Sequence, residues 1–173
     1  MPPMLIVFSG LPGSGKSTLA LGLATYLNAV YLRLDTIEAA LLNAGLPSVG
    51  VEGYAVAYAL AADALRLGQT VVADCVNPLP VTREAWQAVA REHSSRILDV
   101  EVICSDVHEH RRRVETRQAD EGNWAGRWQP PTWEAVARHD YAEWTSPRTV
   151  IDTASGEKAE QLVRVLRLVT VPL

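Results

Sequence analysis

The sequence predicts an α/β protein, a parallel sheet with helices on both faces. Short apolar runs alternate with stretches of helical period along the whole chain, the pattern of strands joined by crossover helices. The first apolar run, Met4–Phe8, leads into Gly10-Leu11-Pro12-Gly13-Ser14-Gly15-Lys16-Ser17, a complete G-x-x-x-x-G-K-S phosphate-binding loop, and then into the helix-like stretch Lys16–Leu27. With 173 residues and 48% hydrophobic content, the chain fills one core and is too short for two, so a single domain over 1–173 is expected.

In chain order, the apolar runs place strands near 4–9, 30–34, 70–74, 97–104 and 148–152. Helical periodicity places helices at 16–28, 36–44, 51–67, 80–93, 107–120, 131–143 and 155–168. The Trp- and Pro-containing stretch Asn123–Trp133 is the only shift in composition and is expected to form a flap. Met1-Pro2-Pro3-Met4 runs directly into the first strand, and no apolar stretch approaches the length of a membrane span; a soluble, cytoplasmic protein with no membrane partner is expected. A net charge of −4 argues against broad attraction to nucleic acid. Cys75 and Cys104 follow apolar runs and are read as buried thiols, and the four histidines as ordinary surface or core residues without metal-ligand spacing.

In open parallel sheets, ligands bind beyond the carboxyl ends of the strands. Those ends carry Ser9-Gly10, Asp35, Asp74 and Asp106. The loop residues Gly10 to Thr18 are therefore assigned to a nucleoside triphosphate. Backbone N–H groups and the helix start would cradle the phosphates, Lys16 would reach the β- and γ-phosphates, and the Ser17 hydroxyl would hold Mg²⁺. Asp35 has two compatible readings. With Glu38 three residues on it makes a capping box, and a carboxylate fixed there is also placed to orient or deprotonate a substrate hydroxyl. Asp74 ends the run Thr70–Ala73, a pattern that orders Mg²⁺ beside a phosphate loop; Asp74 and Asn77 are alternatively substrate contacts. The residue after Asp74 is Cys75 and not a glutamate, which weakens a motor-type ATPase. No N-K-x-D guanine-reading motif occurs, which counts against GTP. In 107–120, an inward stripe of Val107, Val114 and Gln118 would turn Arg112 to solvent and set Arg113 and Arg117 on one flank, placed to clamp phosphates.

Gly10–Thr18, Leu34-Asp35-Thr36, Asp74-Cys75-Val76-Asn77-Pro78 and the Arg113/Arg117 region together resemble the P-loop kinases that include polynucleotide kinase, chloramphenicol phosphotransferase, gluconate kinase and the zeta toxins. The resemblance spans nearly the whole chain. It implies a P-loop NTPase three-layer sandwich, a five-stranded parallel sheet in order 2-3-1-4-5, and an arginine-bearing LID over approximately 118–131. It also implies ATP and Mg²⁺ as cofactors, Asp35 as the catalytic aspartate, and Arg113 and Arg117 as LID arginines. Glu38 stands where polynucleotide kinases carry a basic residue, and a carboxylate there repels a polyanion. The expected acceptor is a small-molecule hydroxyl, with a polynucleotide or nucleoside 5′-hydroxyl and a non-catalytic ATP-binding switch as alternatives. Oligomeric state and acceptor identity are left open.

Overall fold

Strand β1 (Met4–Ser9) is buried at every position, as a central strand covered on both faces must be. A computed structural model describes residues 2–119 and 126–170 of the chain. Strands β2 (Val30–Arg33), β3 (Val71–Asp74), β4 (Arg96–Ile103) and β5 (Thr149–Asp152) complete one sheet in the order β2-β3-β1-β4-β5. Every pairing is parallel. Each strand lies within about two residues of its expected span.

Side-chain alternation along the strands divides the core into two layers. Leu5, Val7, Val71 and Ala73 face helices α3 (Val51–Arg66) and α4 (Pro80–Glu92), with Trp86 fully buried among them. Ile6, Phe8, Val72, Val100 and Val102 face α1 (Lys16–Leu27) and α7 (Lys158–Thr170). With α2 (Leu34–Asn43), α5 (Val107–Ala119) and α6 (Trp133–Ala137), this is the expected three-layer P-loop sandwich.

Three expectations are corrected. Helix α2 begins at Leu34 instead of residue 36, because β2 runs directly into it; its N-cap is Arg33, with no side-chain cap, so Asp35 sits inside the first turn and makes no capping box. The helix expected over 131–143 ends at Ala137. Beyond it, Ala142 N–H donates to the Pro78 carbonyl, and the carbonyls of Ala142 and Glu143 accept from the Arg83 guanidinium, so this backbone is satisfied by α4 and its leading loop instead of by helix bonds. On α5, Val107 is exposed, and the buried face is formed by His110 and Val114. Cys75 is buried and Cys104 half-buried. Residues 120–125 of the expected LID at 118–131 lie outside the described residues. No described helix is long and apolar enough to cross a membrane.

Candidate active site

The first turn of α1 follows Gly15, which adopts a left-handed φ of 94°, and has no side-chain cap. Its N–H groups are left for an anion. They open on a cavity of about 460 Å³ whose floor is Gly13, Gly15, Lys16, Ser17 and Thr18. A Cβ on Gly15 would come within 3.2 Å of the Thr153 side chain. That closeness is used: Thr153 Oγ1 donates to the Ser14 carbonyl at 2.6 Å, and Arg113 donates to Thr153 Oγ1 at 2.7 Å and to the Thr153 carbonyl at 3.0 Å. Arg113 also pairs with Glu109, at 2.7 Å. Helix α5 is thereby braced through Thr153 to the phosphate loop.

Charged groups from β2, β3 and α5 meet beside this cavity, which Arg33, Arg113 and Arg117 help to line. Arg33 Nη2 lies 3.3 Å from Asp35 Oδ2, which also accepts from Arg117. Burial alone would raise the Asp35 carboxyl, but Lys16, Arg117 and Arg33 together hold it below the ordinary carboxylate range. Asp74 is buried and accepts from the Tyr31 hydroxyl at 2.7 Å, with Arg33 Nε 3.9 Å away. Burial and the Asp74 charge push the Tyr31 hydroxyl well above its usual range. Glu38, one turn after Asp35, is raised by burial and by the Asp35 charge and is bonded by Trp128. The Trp128 ring lies 5.4 Å from the Arg117 guanidinium.

The structure divides the expected phosphate-loop residues. Gly13, Gly15, Lys16, Ser17 and Thr18 line the large cavity, whereas Gly10, Leu11 and Ser14 line a separate pocket of about 180 Å³ against Val102 and Tyr141. Pro12 turns its carbonyl toward His110. Asn77 is fully buried and ties strand ends together: its Nδ2 donates to Ser9 Oγ at 2.9 Å, and its N–H donates to the Tyr54 hydroxyl at 2.8 Å. Asp106 caps α5, accepting from the N–H groups of His108 and Glu109. Arg112 is exposed and paired with Glu109, as its helical phase predicts, although it also reaches the cavity rim. Arg127 caps the carboxyl end of α2, its guanidinium on the carbonyls of Leu42, Leu46 and Pro47.

Sequence reasoning missed Arg33, Arg83 and His110. The alternation of β2 carried a signal for Arg33, since Tyr31 and Arg33 share the face opposite Leu32. Arg83 gave none: it is buried, donates to the carbonyls of Asn77, Pro78, Ala142 and Glu143, and stacks 4.1 Å from the Trp144 ring.

Ser17 and Asp74 offer hard oxygen donors of the kind Mg²⁺ prefers. Among the described residues, no group of three or more His, Cys, Asp or Glu could hold a metal by itself. That donor set fits an ion shared with phosphate oxygens, the usual state of Mg²⁺ at nucleotide sites.

A family model described as AAA domain matches residues 5–128, more than half of the chain. The chain belongs to this AAA-domain family. Among solved structures similar to this AAA domain is the Mycobacterium tuberculosis APS kinase CysC in complex with AMPPNP and APS, with a TM-score of 0.73 and 20% identity over 98% of this chain and 99% of that one. A gluconokinase from Sinorhizobium meliloti 1021 has a TM-score of 0.63 and 17% identity over 96% and 95% of the two chains. Chaetomium thermophilum Kti12 in complex with ADP-AlF3 has a TM-score of 0.68 and 22% identity over 94% and 97%. At these identities the likeness establishes the fold of the AAA domain, and no curated protein matches it.

Proposed function

We propose that the protein is an ATP-dependent kinase that transfers the γ-phosphate to a hydroxyl of a small molecule. The observation that carries this reading is the placement of Asp35: a carboxylate from the β2–α2 junction, kept charged by Lys16, Arg117 and Arg33, three cations that themselves line the cavity of the phosphate loop. A bare nucleotide switch has no need of such a group. The similar structures with AMPPNP or ADP-AlF3 bound support a nucleotide on this fold.

In this reading Lys16 and the α1 N-terminus hold the phosphates, and Ser17 with Asp74 would hold Mg²⁺, which neutralises charge on the phosphate oxygens when bound. Asp35 orients the acceptor hydroxyl and takes its proton as the new oxygen–phosphorus bond forms and the bond to ADP breaks. A carboxylate held below its usual pKa is a weak base, which suits phosphoryl transfer because positioning outweighs proton abstraction there. Arg117 contributes by leaving Asp35 for the phosphate oxygens, a richer anion. Glu38, half-buried beside Asp35, disfavours a polyanionic acceptor.

Purified protein with Mg²⁺ and ATP, screened for ADP release against hydroxylated metabolites, antibiotics, nucleosides and 5′-hydroxyl oligonucleotides, tests the reading. We expect one class of small, non-polyanionic acceptor to give ADP and phosphorylated product in equal amounts. Preferential labelling of oligonucleotides, with activity falling steeply as salt rises, would replace this assignment with polynucleotide kinase. Tight ATP binding without transfer to any acceptor would leave a nucleotide-binding switch.

A further inference from the structure

His110 is buried in α5, and its Nε2 lies 2.8 Å from the Pro12 carbonyl, 98 residues away in sequence. A carbonyl can only accept, so Nε2 carries the proton. The same ring meets Trp133 of α6 edge to face, with centroids 5.4 Å apart. The helices before and after the expected LID therefore meet at the ring that touches the phosphate loop. Gly13 is pressed against the same helix: a Cβ there would lie 2.5 Å from Val114 Cγ2 and 3.2 Å from His110 Cδ2.

The orientation of one peptide follows. In a trans peptide the C=O and the following N–H point in opposite directions, and no described peptide is cis. With the Pro12 carbonyl held against His110 of α5, the Gly13 N–H points the opposite way along that peptide, and Gly13 itself lines the cavity. We propose that His110 is a positioning residue of the phosphate loop: by donating to the Pro12 carbonyl it fixes the Pro12–Gly13 peptide so that the Gly13 N–H faces the bound phosphates. An inward N–H set before the ligand arrives stabilises phosphate charge without reorganisation. This rests on the loop being a nucleotide site.

Two substitutions separate the hydrogen bond from the packing. His110→Phe keeps a ring against Trp133 and loses the donor; His110→Gln keeps an N–H donor and loses the ring. Affinity for Mg·AMPPNP is measured by calorimetry for these variants, the wild type and Lys16→Ala, with the melting temperature of each nucleotide-free protein. His110→Phe is expected to bind about tenfold more weakly, the effect of one lost hydrogen bond, and His110→Gln to stay within about threefold of wild type. The reverse order, equal losses, or no loss in either variant overturns the proposal. If wild type binds no better than Lys16→Ala, the nucleotide reading itself has failed and the proposal falls with it, a result distinct from tight wild-type binding that ignores His110. Should both variants fail to fold, nitrogen NMR of the wild-type imidazole decides: a protonated Nε2 shielded from solvent exchange supports the contact, and a bare Nε2 overturns it.

Discussion

Asp35 is held between opposing electrostatic effects beside the cations that line the cavity. Burial would neutralise it, while Lys16, Arg117 and Arg33 keep it charged. Because its pKa is lowered on folding, its contribution to stability is present above the unfolded value and lost as pH falls through the folded one. Turnover should therefore show no acid limb from Asp35 until pH drops below the ordinary carboxylate range, about 4. Asp35→Asn removes the charge and the proton acceptor but keeps the shape. We expect turnover to fall roughly 10²–10⁴-fold. The part-exposed ion pairs it loses are worth only about 1 kcal/mol of stability, read from urea unfolding beside the initial rate. Stability and activity falling in proportion would reduce Asp35 to a structural residue. The position of Asp35 was legible in the sequence, as a carboxylate ending an apolar run. Its partners were less so, since Arg117 lies 82 residues away and meets it only through the fold.

Helix α5 assigns its arginines different work. Its phase was readable only in part: Val114 is buried as expected but Val107 is exposed, and although Arg113 pairs with Glu109 on its own helix, its second partner, Thr153, and the Asp35 that pairs with Arg117 come from other elements. Arg113 braces Thr153, and through it the Ser14 carbonyl, whereas Arg117 crosses to α2 and lies under Trp128. Arg113→Ala should mainly weaken nucleotide binding, raising KM for ATP, because it loosens the loop before chemistry begins. Arg117→Ala should mainly lower kcat, because its contact with the phosphate strengthens as charge moves in the transition state. Arg117→Lys should recover only part of this, lacking the planar fork. Arg112→Ala, which loses an exposed pair with Glu109, should change either quantity by no more than about 0.5 kcal/mol. If Arg117→Ala turns over faster than wild type, the arginine restrains Asp35 and does not serve the phosphate. The failure to foresee the end of α6 has the same origin as the missed partners: Arg83, from α4, captures carbonyls that helical periodicity alone would have kept inside a helix.

Across the whole molecule, strands were legible because parallel strands buried on both faces are continuous apolar runs, but their order followed from family resemblance and not from any periodicity. The local signal also says little about polar groups that a sheet buries. Asp99 is such a group. It lies on β4 opposite Val7 of β1, is 7% exposed, and its Oδ1 has no hydrogen-bond partner among the described residues. Burial pushes its carboxyl up to about 6, only partly opposed by Gln87 and Arg83. The native protein thus binds a proton at Asp99 more readily than the unfolded chain does. Stability from this group is greatest when it is protonated, declines as pH rises from about 4 through about 6, and is level above that. Asp99→Asn is neutral at every pH and should escape the decline. Thermal unfolding of both proteins between pH 4 and 8 should give the asparagine variant a growing advantage, reaching about 1–3 kcal/mol at neutral pH, the range expected of a buried carboxylate released from ionisation. A difference that stays constant across this range would mean that Asp99 does not titrate there, and that the sheet accommodates its charge through Gln87 and Arg83.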